Sequence, residues 1–143
     1  MKKTLLSAFF IAGLGIITNA QCDKKTALSS SKTEFLDSNY NVKDTKDENT
    51  TVEFSKNDIT IIPGGQEDQK LTGTIKSFTC DWKVPFKEGK TVIKTTLVDP
   101  RGDEKKATIT IEGKDGKITF LGEIDEMPDM KLRLTADKFE EKS

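Results

Sequence analysis

Residues 107–124 read ATITIEGKDGKITFLGEI, and their pattern decides the fold class. Ala107, Ile109 and Ile111 alternate with Thr108 and Thr110; Asp115-Gly116 interrupts; Ile118, Phe120 and then Ile124 face one way again. Successive side chains on a strand point to opposite faces, so a period of two marks a strand with one buried face. Asp-Gly between two such runs signals a tight hairpin turn, because its central residues must take positive φ. The stretch predicts an antiparallel hairpin, apolar on the inside and polar on the outside.

The same pattern extends in both directions. Downstream, MKLRLTA sets Met130, Leu132, Leu134 and Ala136 inward against Lys131, Arg133 and Thr135, after a connection containing Pro128. The terminal DKFEEKS either starts a helix or frays. Upstream, TVIKTTLV over residues 91–98 is a strand, turned by DPRGDE with Pro100 and Gly102 as punctuation. LTGTIKSFTCDWKV over residues 71–84 changes phase: Ile75 is odd, whereas Phe78, Cys80, Trp82 and Val84 are even. A strand that changes phase needs an extra residue, which predicts a β-bulge around Lys76 and Ser77. TVEFSKNDITII reads as a hairpin with Val52 and Phe54 on one arm, Ile59 and Ile61 on the other, and Lys56-Asn57-Asp58 between them. PGGQEDQK is a loop, and KDTKDENT a charge-rich connection. EFLDSNYNV reads as two short strands about a turn at Asp37, Ser38 and Asn39. Eight to nine short strands in sequential order predict an all-β antiparallel up-and-down meander closing as a barrel of about eight strands, with a two-layer β-sandwich as the alternative.

The N-terminus carries a different signal. Lys2 and Lys3 precede an apolar run from Leu5 to Ile17, and Thr18 and Ala20 are small. That is the layout of a cleavable signal peptide over residues 1–20, cut after Ala20; an uncleaved anchor or a buried helix is the other reading. Residues 21–31 then read as a flexible segment, ordered only if something ties it down. Residues 32–143 form a single domain, large enough for one modest core. The leader holds two lysines and no acid, so the rest of the 143-residue chain has 21 basic and 24 acidic residues, a formal charge of −3. No basic stripe points to nucleic acid, and no second long apolar run points to a membrane span.

Two cysteines remain, Cys22 and Cys80. In an exported chain paired thiols persist, which predicts a Cys22–Cys80 disulfide tying the N-terminus to a central strand. A lipid anchor at Cys22 is the competing reading. Gln21 before it is bulky and polar, and Asn19 stands where a lipobox usually has an aliphatic residue. Cleavage after Ala20 would leave Gln21 free to cyclise to pyroglutamate.

The chain has no histidine. That removes the commonest general base, the serine triad and most catalytic zinc sites. PGGQEDQK lacks the spacing of a phosphate loop. Paired carboxylates for a hydrolase cannot be singled out among 24 acids. The acids of EIDEMPD match no calcium loop and read as a charged turn. Arg101-Gly102-Asp103 resembles an integrin-binding tripeptide, but turns favour Gly and Asp anyway. Asn49-Thr50-Thr51 fits the glycosylation acceptor pattern. The expectation is no catalytic residue, no metal and no cofactor.

VEFSKNDITI, GTIKSFTCDWKV and ATITIEGKDGKITFLGEI…MKLRLTA together resemble the lipocalin-like small secreted β-barrel proteins of Bacteroidetes-type bacteria, over roughly residues 32–138. The Gly-x-Trp signature of lipocalins is absent, since the single tryptophan is Trp82. The resemblance implies a barrel. Eight strands can hold one small ligand or be filled by side chains. Phe78, Trp82, Ile93, Ile109 and Phe120 are the candidates to line such a cavity or to fill a core. Two functions follow as expectations: a non-enzymatic exported module binding a small apolar ligand, or a periplasmic or secreted interaction factor working on an envelope protein through its surface.

Overall fold

In the computed structural model residues 21–142 are described; the signal peptide expected over residues 1–20 lies outside them. Nine strands run in order: β1 (Thr26–Leu36), β2 (Val42–Phe54), β3 (Asp58–Ile62), β4 (Leu71–Val84), β5 (Glu88–Val98), β6 (Glu104–Lys114), β7 (Lys117–Ile124), β8 (Lys131–Thr135) and β9 (Lys138–Glu141). Strands β2 to β8 pair with their sequence neighbours, each antiparallel. β1 closes the barrel by pairing with β2 on one side and with β8 on the other. β9 continues the work of β8 along the first half of β1, Thr26 to Ser29. Closure is what removes sheet edges. The architecture is the expected antiparallel barrel rather than a sandwich.

The alternation legible in residues 107–124 is obeyed. Ala107, Ile109, Ile111, Ile118 and Phe120 are buried and share one cluster with Leu28, Val52, Phe54, Ile59, Ile61, Trp82, Ile93, Leu97 and Leu134. The bulge sits where the phase change requires it: the β4–β5 register slips between Ile75 and Ser77. It turns Phe78, Cys80 and Trp82 to the same inner side as Ile75.

Four readings are corrected. Residues 26–31 are the first half of β1, in register with β2 and β9, and not a loose segment; the polar side chains alternate, so Thr26, Leu28 and Ser30 go inside. KDTKDENT belongs to β2, because the β1 ladder extends along it. DKFEEKS contains β9, with Phe139 packed against the core. Met130 is exposed in the turn before β8 rather than inward.

One end of the barrel is plugged. Cys22 is disulfide-bonded to Cys80, 58 residues on. The bond seats a short 3-10 turn, Gln21–Asp23, against β4. Gln21 Oε1 accepts the Phe86 N–H at 2.9 Å. Phe139 lies 5.4 Å from Trp82 and 5.2 Å edge-on to Phe86, ring to ring. Gly89 and Gly113 let strands pass the indole: a Cβ at Gly89 would stand 2.4 Å from the Trp82 Cα, and one at Gly113 would stand 2.7 Å from its ring.

Candidate functional site

The five residues expected to line or fill the interior are brought together, and they are packed. Trp82, Ile93, Ile109 and Phe120 belong to the core cluster, and Phe78 packs against it half-buried. A hollow interior would leave its walls open to a water-sized sphere. Val52, Ile93, Ile111 and Leu134 are instead sealed on every side, at 0% exposure. Side chains sealed in this way leave no water-sized space beside them. Polar groups inside are mostly satisfied: the Trp82 indole N–H donates to Thr91 Oγ1 at 2.8 Å, and Thr95 Oγ1 donates to the Thr74 carbonyl at 2.8 Å. Open depressions of about 430 to 620 Å³ lie on the outside of the barrel. One of about 620 Å³ runs over the outer face of β4, β5 and β6 between Asp81, Lys83, Glu88, Lys90, Glu112 and Lys114. Its mixed charges favour no single ligand sign.

The opposite end from the plug carries the unusual surface. Tyr40, Val42 and Met130 are exposed large apolar residues, half open to solvent, on the β1–β2 and β7–β8 connections. These connections meet because Leu36 pairs with Lys131. Leu36 is wholly buried yet stands outside the central cluster. It pairs with Lys131, one step beyond the Phe35–Leu132 pair.

Tyr40 is held in place by several groups. The Asp37–Asn41 turn closes when Asp37 N–H donates to the Asn41 carbonyl and Tyr40 N–H to the Asp37 carbonyl. Asp37 Oδ1 accepts the N–H groups of Asn39 and Asn41, both at 2.9 Å. Those two bonds, Asn41's first, hold the Asp37 carboxyl below its usual range. Tyr40 takes φ +67°, a left-handed value uncommon for a bulky side chain. Its hydroxyl donates to Glu123 Oε2 at 3.1 Å, and Lys131 Nζ sits 5.0 Å from its ring centroid. Lys131 Nζ also donates to Glu123 Oε2 at 3.0 Å. Strain of this kind persists only when the surroundings over-determine it.

The hydrogen bond to Glu123, ahead of its Coulombic pull, raises the Lys131 pKa. A raised lysine stabilises the fold fully below its unfolded pKa, and that contribution is lost as pH rises through the folded value. Lys131 is therefore expected to titrate above the ordinary lysine range, followed by NMR of its Cε. Glu123→Gln should bring it back to that range. An unshifted Lys131 in the parent chain would break the account of this clamp.

Other motifs fall on the surface. Arg133 is half-buried and pairs with Glu34 at 2.9 Å. Arg101 of the RGD turn is exposed and lies near Asp99 and Asp103. Asn49 is exposed within β2. Among the described residues no group of three or more His, Cys, Asp or Glu is placed to hold a metal ion, and no helix is long and apolar enough to cross a membrane. Sequence reasoning missed Tyr40 and Leu36. The turn residues Asp37 to Asn39 were legible, but nothing local says that the fourth residue folds back over β8 and β7.

Scans against protein-family models, curated proteins and solved structures found no match to this chain.

Proposed function

We propose that the protein is an exported, non-enzymatic binding module that works from its outer surface, as a periplasmic or secreted factor engaging an envelope protein. The observation that carries this reading is the sealed interior. Fourteen buried apolar side chains fill the space that an apolar ligand would need. The functional surface is then the end bearing Tyr40, Val42 and Met130, where apolar area is exposed on a polar barrel. Kinship with the lipocalin-like secreted proteins of Bacteroidetes-type bacteria fits the barrel, and belongs to this proposal. Export rests on the tripartite leader and on the disulfide, which persists in oxidising compartments. A Cys22 engaged with Cys80 has no thiol left to acylate, so the reading favours a free protein over a lipid-anchored one.

The test is intact mass of the protein purified from its own host, under native and then denaturing conditions, with and without reductant. The expected result is a chain starting at Gln21, less one ammonia, that gains two hydrogens on reduction and carries no extra native mass. A stoichiometric small molecule released on denaturation would overturn the surface reading in favour of an internal ligand. Added acyl mass would overturn the free, disulfide-bonded state.

A further inference from the structure

β2 is paired on both sides along only part of its length. β3 covers Thr51 to Phe54. The turn Pro63–Gly65 approaches the next stretch, where Gly64 N–H donates to Thr50 Oγ1 at 3.4 Å. Val42 to Asp47 lie beyond both. They pair with β1 on one side, every one of them is exposed, and their other edge has no backbone partner among the described residues. An edge of this kind is a ready template for another strand.

The sequence of that edge is self-complementary in one register. Residues 42–48 read VKDTKDE. Set antiparallel against itself about a two-fold axis through Thr45, Asp44 faces Lys46, Lys43 faces Asp47, Val42 faces Glu48, and Thr45 faces its own copy. Shift the pairing by one residue and either Asp44 meets Asp47 or Lys43 meets Lys46. Shift it by two and either Asp44 or Lys46 meets its own copy. Like charges directly opposite are destabilising, whereas opposite charges and Thr–Thr pairs stabilise. Charges on an edge strand ordinarily forbid pairing; here they forbid every neighbouring register and leave this one open.

We propose that the Val42–Asp47 edge pairs with the same edge of a second copy, making a two-fold dimer with one sheet continuous across both barrels. The edge lies at the end read above as a binding surface, and the pairing stands on the edge itself. A two-fold axis through a residue suits an antiparallel ladder whichever way the Thr45 N–H points, because hydrogen-bonded and non-hydrogen-bonded pairs alternate along it. The β1 ladder is regular over Asp44 to Asp47, so the Asp44–Lys46 and Thr45 pairs set the register. Lys43 Nζ donates to the Asp129 carbonyl at 3.0 Å, the Thr45 N–H donates to Asp44 Oδ1 at 2.9 Å and Lys46 Nζ lies 5.6 Å from the Phe35 ring centroid, and these contacts give way to those with the second copy. Exposed Tyr40 and Val42 flank the edge and add apolar area at each end of the pairing. A formal charge of −3 for the chain from Gln21, 21 basic against 24 acidic residues, gives little repulsion between copies. The contact is isologous and closes on itself, so assembly stops at two.

The test is sedimentation equilibrium of the disulfide-bonded chain starting at Gln21, up to roughly 1 mM, a range that reads weak association. The expected result is a mass that rises with concentration to twice the monomer and falls back as salt is added. Lys46→Asp, which sets acid against Asp44 of the second copy, and Asp44→Lys, which sets lysine against Lys46 of the second copy, should each weaken association by about tenfold or more. The double variant Asp44→Lys/Lys46→Asp restores opposite charges and should restore the dimer. A monomer at every concentration overturns the pairing. So does a dimer that ignores the single variants, or a double variant that fails to rescue. The mass measurement above decides the surface reading separately, since a ligand inside the barrel would overturn that reading without altering the edge.

Discussion

Trp82→Ala is expected to destabilise the protein by about 3–5 kcal/mol, the range for removing a large aromatic side chain from a packed core. Trp82 is 1% exposed. Two glycines stand against its ring, so neighbouring strands have no side chains there that can swing into the space left behind. The cost of a cavity depends on how well its walls collapse, and a closed hydrogen-bonded barrel collapses poorly. Truncation also leaves Thr91 Oγ1 without the indole N–H it accepts at 2.8 Å and strips Phe139 of its partner at 5.4 Å. Phe139 is the side chain by which β9 packs against the core, so the last strand should loosen first. Urea unfolding followed by far-UV circular dichroism measures the effect, since the variant lacks the only tryptophan. Trp82→Phe keeps most of the volume and should cost markedly less. A loss under about 1 kcal/mol for the alanine variant would mean that the ring sits beside open space, and the filled-barrel account would fall.

Breaking the Cys22–Cys80 bond is expected to cost about 4 kcal/mol by loop-closure entropy, from a closed loop spanning 58 residues. The loop takes in β1, β2, β3 and the first part of β4, so the bond constrains nearly half of the unfolded chain. Its removal also frees the Gln21–Asp23 turn, and with it the hydrogen bond from the Phe86 N–H to Gln21. The urea midpoint should drop on adding reductant, and Cys80→Ser should behave like the reduced parent. Hydrogen exchange should speed up most at the Phe86 N–H and along Thr26 to Ser29, next to the released segment. A midpoint indifferent to reductant would show that the cross-link does not restrain the unfolded chain and that the plug is held by packing alone.

The pattern of residues 107–124 is self-contained. Ile109 and Ile111 must share a face because alternate side chains of a strand do, and Asp115-Gly116 must turn because few other residues reach positive φ cheaply. The bulge near Lys76 was legible for the same reason: Ile75 and Phe78 can share a face only across an added residue. The sequence left Cys22 two readings, a bond to Cys80 or a lipid anchor, and the structure holds the bond. KDTKDENT and DKFEEKS were misread because their strand character comes from ladders with β1. Their own charged, non-alternating residues carry no strand signal, and propensity yields to tertiary pairing in such segments.

Local sequence therefore determined strands β3 to β8, their inward faces apart from Met130, and the bulge. Tertiary structure decided the rest. Whether eight strands enclose a cavity or a solid core depends on the summed volume of side chains from all strands, which no single stretch contains. Tyr40 folds back onto Glu123, 83 residues on, and Lys131 on the next strand. The free edge of Val42 to Asp47 exists because β3 is five residues long and its partner β2 thirteen, a mismatch that becomes visible only once the two are side by side.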